Sequence, residues 1–242
     1  MMHELDTFAQ LPPHPSIIRP FAVTMLNVPQ TKTYYLAMIS ELWPKSLYET
    51  MKMMSIYEAA FTVEDVALVA RTIAEAIRTC SEVGIVHCDL SPKNVMVQYV
   101  MEDVDRASLP VQVRDDETDG GRRPKRWLRI HRVGIIDFNL AGPMYDKFSP
   151  RMMAKRKAYA YYPPDQDITP AVDIFSLGHI VNSMLAYVDV KMKTCTSSTG
   201  KRHDIVLNRL HRISKACLQS LPDLRPTTDD FMEAIPSSLD SL

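Results

Sequence analysis

Two short runs carry the residues that could do chemistry. The first is His87-Cys88-Asp89-Leu90-Ser91-Pro92-Lys93-Asn94; the second, Asp137-Phe138-Asn139, begins 43 residues after Asn94. Asp89 offers a carboxylate that can take the proton of a substrate hydroxyl. Asn94, five residues on in the same loop, and Asp137 offer the hard oxygen donors that Mg²⁺ takes. Either run alone is weak, since a loop histidine, a turn aspartate or a strand end accounts for it. Together they argue against coincidence. They come in a set order, and each lies beside a β-like apolar run, Val95-Met96-Val97 and Val133-Gly134-Ile135-Ile136.

These runs need elements to hold them. Leu11-Pro12-Pro13-His14-Pro15-Ser16-Ile17-Ile18 reads as a sharp turn into a strand. Phe21–Leu26 and Tyr34–Ile39 read as strands joined by a turn at Pro29–Lys32. Trp43-Pro44-Lys45-Ser46-Leu47 leads into a helix. The clearest helix spans Thr62–Ser81: Thr62 with Asp65 makes a capping-box start, and Val66, Val69, Ile73, Ile77 and Cys80 recur at steps of three and four. Gly84 ends it, and Ile85-Val86 leads into the His87 loop. Residues 101–132 carry an acidic cluster, then Gly120-Gly121, then a basic cluster, and read as a flexible charged insertion. Asp173–Val188 reads as a buried helix, Ile205–Leu218 as an amphipathic one and Thr227–Ile235 as a short last one.

Composition excludes several classes. A formal net charge of -1 over 242 residues gives no global attraction to nucleic acid or to an anionic membrane. The four cysteines, Cys80, Cys88, Cys195 and Cys217, form no C-x-x-C pair and read as reduced thiols of an intracellular protein. The N-terminal residues show no signal-peptide pattern, and the most apolar stretch, Ile174–Val188, is too short to span a bilayer. The expected location is the cytoplasm, with the nucleus second.

The ordered runs resemble those of protein kinases, with H-R-D-L-x-x-x-N and D-F-G as their counterparts. The resemblance extends from about Glu4 to Ile235. Glu4 falls where the regulatory-helix Glu precedes a His-Pro-x-Ile turn, here at His14. Ser40-Glu41-Leu42 resembles the hinge that meets adenine, and Met96 the apolar residue beneath it. Tyr162-Pro163-Pro164-Asp165 resembles the A-P-E end of the activation segment. Asp173-Ile174-Phe175-Ser176-Leu177-Gly178 resembles the central lower-lobe helix. Leu224-Arg225-Pro226-Thr227 resembles the turn whose Arg pairs with the A-P-E acid, here Asp165. The implied fold is α+β and protein-kinase-like: residues 1–42 form a residual N-terminal lobe of one helix and two strands, and residues 43–242 a mostly helical C-terminal lobe with the insertion at about 101–132. The implied cofactors are ATP and Mg²⁺, and the implied partner is a protein, as substrate or as binding partner.

Departures from the family pattern matter as much. Cys88 replaces the Arg of H-R-D, so a phosphorylated activation loop cannot be drawn in through that Arg. Ser91 replaces the Lys two residues after the catalytic Asp, and Lys93 is the expected substitute at the γ-phosphate. Asn139 replaces the Gly of D-F-G, a mild change if the backbone there is left-handed. The glycine-rich loop and the strand Lys have no counterpart: the first of seven glycines is Gly84, and the first lysine, Lys32, falls in a turn. Either the chain is part of a longer kinase, or it is a degenerate kinase that no longer turns over. Upper-lobe sheet edges and apolar faces should then be open.

Three functions follow as expectations. The first is a protein kinase transferring phosphoryl from Mg-ATP to a Ser/Thr hydroxyl, with Asp89 as base, Lys93 at the γ-phosphate and Asn94 and Asp137 on the metal. The second is a pseudokinase acting as a non-catalytic interaction module. A small-molecule phosphotransferase is a distant third: that class shares H-x-D-x-x-x-x-N but lacks the activation segment and the Arg-Pro turn.

Overall fold

A computed structural model describes residues 2–28, 33–103, 126–188 and 198–235. The turn expected at Pro29–Lys32, most of the charged insertion and most of the stretch from Lys191 to Arg202 lie outside the described residues.

Helix α1 (Met2–Gln10) leads through the Pro-rich turn to a two-stranded antiparallel sheet of β1 (Pro20–Val28) and β2 (Thr33–Ser40). Its large apolar residues face solvent on a sheet with no third strand among the described residues; Phe21 is 73% and Met25 64% exposed. The open apolar sheet expected from the sequence is therefore present.

A second sheet underlies the His87 loop. Its order is β3 (Lys45–Ser46), β6 (Val95–Asp103), β7 (Arg126–Ile135) and β4 (Ala59–Phe61), with β4 parallel to β7 and the other pairs antiparallel. Residues 101–103 and 126–132, assigned to the insertion from sequence, are strand: the β6/β7 ladder pairs Asp103 with Arg126. The acidic cluster and most of the basic one that suggested a loop lie outside the described residues; on the ribbon itself Arg126 pairs with Asp103 and Arg129 with Glu102. Gly134 lies where β7 passes closest to its cover: a Cβ there would come within 2.4 Å of Ile18 Cδ1 and 3.0 Å of the Trp43 ring.

The helices follow their caps. In α2 (Leu47–Tyr57), Ser46 and Glu49 form a capping box. In α3 (Val63–Glu82), Thr62 and Asp65 do the same, and Val66, Val69, Ile73, Ile77 and Cys80 are buried. Asp65 also accepts from the Ile130 N–H at 2.8 Å, which ties α3 to β7. Short strands β5 (Ile85–Val86) and β8 (Gly142–Pro143) pair across the two candidate loops. Then come α4 (Pro150–Ala158), α5 (Pro170–Leu185), α6 (Ser198–Cys217) and α7 (Thr228–Ala234). Gly178 lets α5 approach α6 closely, since a Cβ would fall 2.5 Å from Cys217 Cβ. Leu177, Ile180 and Met184 of α5, Leu210 of α6 and Phe231 of α7 close one core with α3. Among the described residues, no helix is long and apolar enough to cross a membrane.

Candidate active site

The His87 loop is strained where its chemistry is. Cys88 has φ 60, a left-handed conformation that an L side chain adopts at a cost of order 1–3 kcal/mol. Asp173 of α5 holds it there, its carboxylate accepting from the His87 N–H at 2.7 Å and the Cys88 N–H at 3.0 Å. Burial pushes the Asp173 carboxyl up from its ordinary range, against the pull of these bonds and of His87. His87 and Phe138 are fully buried with ring centroids 4.6 Å apart, and Phe8 of α1 packs 5.2 Å from Phe138. The three rings pack together in the core.

Asp137 is left-handed as well, with φ 66. The sequence placed that conformation at Asn139. Instead Asn139 lies in the 3-10 turn Phe138–Leu140, and its side-chain amide donates to Asp137 Oδ1 at 2.9 Å. The left-handed turn falls on the Asp, whose short acceptor side chain tolerates it.

Asp89, Asn94 and Asp137 line one cavity of about 360 Å³. Asn94 commits its amide N–H to Asp89 O at 2.8 Å, which leaves its carbonyl oxygen as the donor for a cation. An Asp carboxylate and an Asn carbonyl in one cavity fit Mg²⁺, which is held by one or two carboxylates together with substrate phosphates. Among the described residues no cluster of three or more His, Cys, Asp or Glu side chains is set up to hold a metal.

Lys93 lines the same cavity, whereas the expected adenine contacts lie elsewhere. Lys93 Nζ is held between the rings of Tyr48 and Tyr159, 5.3 and 5.6 Å from their centroids. The cation on Asp89 is instead Lys155 of α4, and the Tyr162 hydroxyl donates to the same carboxylate. Asp89 is therefore 4% exposed. Ser40, Glu41, Leu42 and Met96 do not line this cavity. Glu41 is paired with Arg132, Leu42 is exposed, and Met96 stands opposite Ser46 and Gly134 in the sheet. The sequence names Tyr162 only within the A-P-E-like run and Lys155 not at all, because no spacing rule links either to Asp89, 66 and 73 residues earlier.

Glu4 is buried, and its Oε1 accepts from the Phe138 N–H at 3.0 Å. Its other oxygen, Oε2, is buried with no hydrogen-bond partner. Burial pushes the carboxyl up from its ordinary range, with Asp137 adding to the effect. On the far side, Arg225 donates from both Nη atoms to Asp165 at 2.7 and 2.6 Å, and the two side chains are 0% and 1% exposed. Arg225 also donates to the carbonyls of Gln219, Ala171 and Ser220, so the buried charge is fully bonded.

Comparison with known proteins agrees with this geometry. The protein kinase domain family model matches residues 1–235. Sperm motility kinase 2A of Mus musculus is 26% identical over 236 residues; the match takes in 90% of this chain and 38% of that protein, so the chain spans well under half of the relative. A crystal structure of the Rad53 kinase domain and SCD2 in complex with AMPPNP superposes with a TM-score of 0.54 at 19% identity, covering 98% of this chain and 81% of that one. A second structure of the Rad53 kinase domain and SCD2 gives the same TM-score at 17% identity, covering 100% and 75%.

Proposed function

The chain belongs to the protein kinase domain family, and from that premise we propose that it carries the catalytic centre of an Mg-ATP-dependent protein kinase acting on Ser/Thr hydroxyls. The observation that supports this best is the convergence of Asp89, Asn94 and Asp137 on one cavity, from a loop held by Asp173 and a turn held by Glu4. Asp89 takes the proton of the attacking hydroxyl onto a carboxylate oxygen. Asn94 and Asp137 would hold Mg²⁺, which when bound spreads and neutralises the phosphate charge. The Lys155 ammonium offsets the charge of Asp89. Ser40, Glu41 and Leu42 remain the proposed adenine contacts, with Met96 beneath, and the cytoplasm the proposed location.

The test is phosphate transfer from radiolabelled ATP to casein, with Asp89→Asn as the blank, beside a Mg-ATP thermal shift. Transfer no faster than the blank overturns the catalytic reading. A thermal shift without transfer supports the second reading, a nucleotide-binding pseudokinase. Glu4 Oε2 favours that one, because none of the described side chains supplies it a cation.

A further inference from the structure

Both carboxylate oxygens of Asp89 are engaged by the chain itself. The Tyr162 hydroxyl donates to Oδ1, and Lys155 Nζ pairs with Oδ2. Neither partner belongs to the His87 loop. Lys155 comes from α4 and Tyr162 from the stretch before Pro163, both in the segment that follows Asp137. A general base must hold a hydrogen bond to the hydroxyl it deprotonates. Here the hydroxyl in that position is a phenol of this chain.

The segment is anchored on either side of the phenol. Three residues on, Asp165 is locked to Arg225. One residue back, the Tyr161 carbonyl accepts from Ser176 Oγ of α5 at 2.8 Å. Three residues back, the Tyr159 ring lies against Lys93. The phenol is therefore delivered from fixed points rather than resting on the surface by chance. Burial first, and then the Asp89 carboxylate, push its pKa up, with Asp137 and Cys88 adding, so at neutral pH it remains a donor.

We propose that Tyr162 is an internal pseudosubstrate: its phenol fills the acceptor-hydroxyl position on Asp89, Lys155 clasps the second oxygen, and a hydroxyl-bearing protein reaches Asp89 only by displacing this latch. The word acceptor rests on the phosphotransfer reading; the occupation of Asp89 does not.

The test has two arms, both on the full chain. In the first, tyrosines labelled with ¹³C at Cζ are titrated by NMR in the wild type, Tyr162→Phe and Asp89→Asn. One resonance, missing in Tyr162→Phe, ionises at higher pH in the wild type than in Asp89→Asn. In the second, transfer from Mg-ATP to casein is followed as a function of casein. Displacing a hydrogen bond to a charged group should lower the casein KM of Tyr162→Phe by roughly ten- to a hundredfold, with the ATP KM unchanged. Lys155→Met should move in the same direction. A Tyr162 phenol whose titration is the same in the wild type and in Asp89→Asn overturns the latch. So does measurable transfer with an unaltered casein KM in Tyr162→Phe, or a loss of transfer in Lys155→Met, which would make Lys155 part of the catalytic machinery. If every protein matches the Asp89→Asn blank, the phosphotransfer reading falls, and the first arm alone decides the latch.

Discussion

Asp89 and Asp137 share a cavity but differ in what surrounds them, and that separates their predicted failures. Asp89 is enclosed by Tyr162 and Lys155; Asp137 is held by its own left-handed turn and Asn139. Asp89→Asn keeps the shape and removes the base, so transfer should fall by about 10²–10⁴ with the fold intact. Unchanged transfer with normal circular dichroism would remove Asp89 from the mechanism. Glu4 makes a different prediction. Its carboxyl is raised, so the ionised form is the one the fold disfavours. Stability linked to it is fully present below the unfolded Glu pKa and lost as pH rises through the folded value. Glu4→Gln should therefore melt higher than the wild type at neutral pH, and the difference should vanish in acid. A lower melting temperature at neutral pH would mean that Glu4 has a cationic partner.

Elements carry the next scale. The Asp165–Arg225 pair joins the segment before α5 to the turn before α7, 60 residues apart. Arg225→Ala leaves a carboxylate buried and unpaired, and chemical denaturation should show a loss of about 3–5 kcal/mol; a loss within error would mean that water reaches Asp165. The contact between α3 and α6 is gentler. His203 is pushed up by its hydrogen bond with Glu64. Burial pushes the Glu64 carboxyl up, but that bond and the charge of His203 outweigh it, and the net direction is down. The pair therefore stabilises between the two pKa values, weakening as pH falls through the lowered Glu64 pKa and as pH rises through the raised His203 pKa. His203→Asn should lower the melting temperature at mildly acidic pH and leave it nearly unchanged at alkaline pH. Equal effects at both would show that the contact is packing. Much at this scale was legible. The box at Thr62 is local, and the Arg225 pairing came with the family order. The strand at 126–132 was missed because an exposed ribbon carries charge on its open face. Helix α4 was missed because its face over Asp89 is fixed by tertiary contacts that no local period encodes.

At the scale of the whole molecule, the two sheets are unequal. The β3-β6-β7-β4 sheet is covered by α3, whereas β1 and β2 stand as a pair with apolar side chains in water, a form marginal on its own. This is the part of the kinase pattern whose counterparts, a glycine-rich loop and a strand Lys, the sequence does not contain. Glu4 Oε2 marks the same gap from the inside, as a buried acceptor with no partner among the described side chains. Losing one preorganised donor to developing charge costs about 10²–10³ in rate, and several are lacking together. The chain alone should then transfer phosphate slowly at best. Fusing glycine-rich and Lys-bearing strands ahead of Met2 should raise turnover. It should also reverse the sign of Glu4→Gln, from stabilising in the chain alone to destabilising in the fusion, because the carboxylate then has a cation to hold. Turnover that rises while the Glu4→Gln sign stays the same would separate phosphate binding from the Glu4 contact. Robust turnover by the chain alone, well above Asp89→Asn, would show that a cation already present, with Lys155 the first to replace, serves the phosphates in its stead.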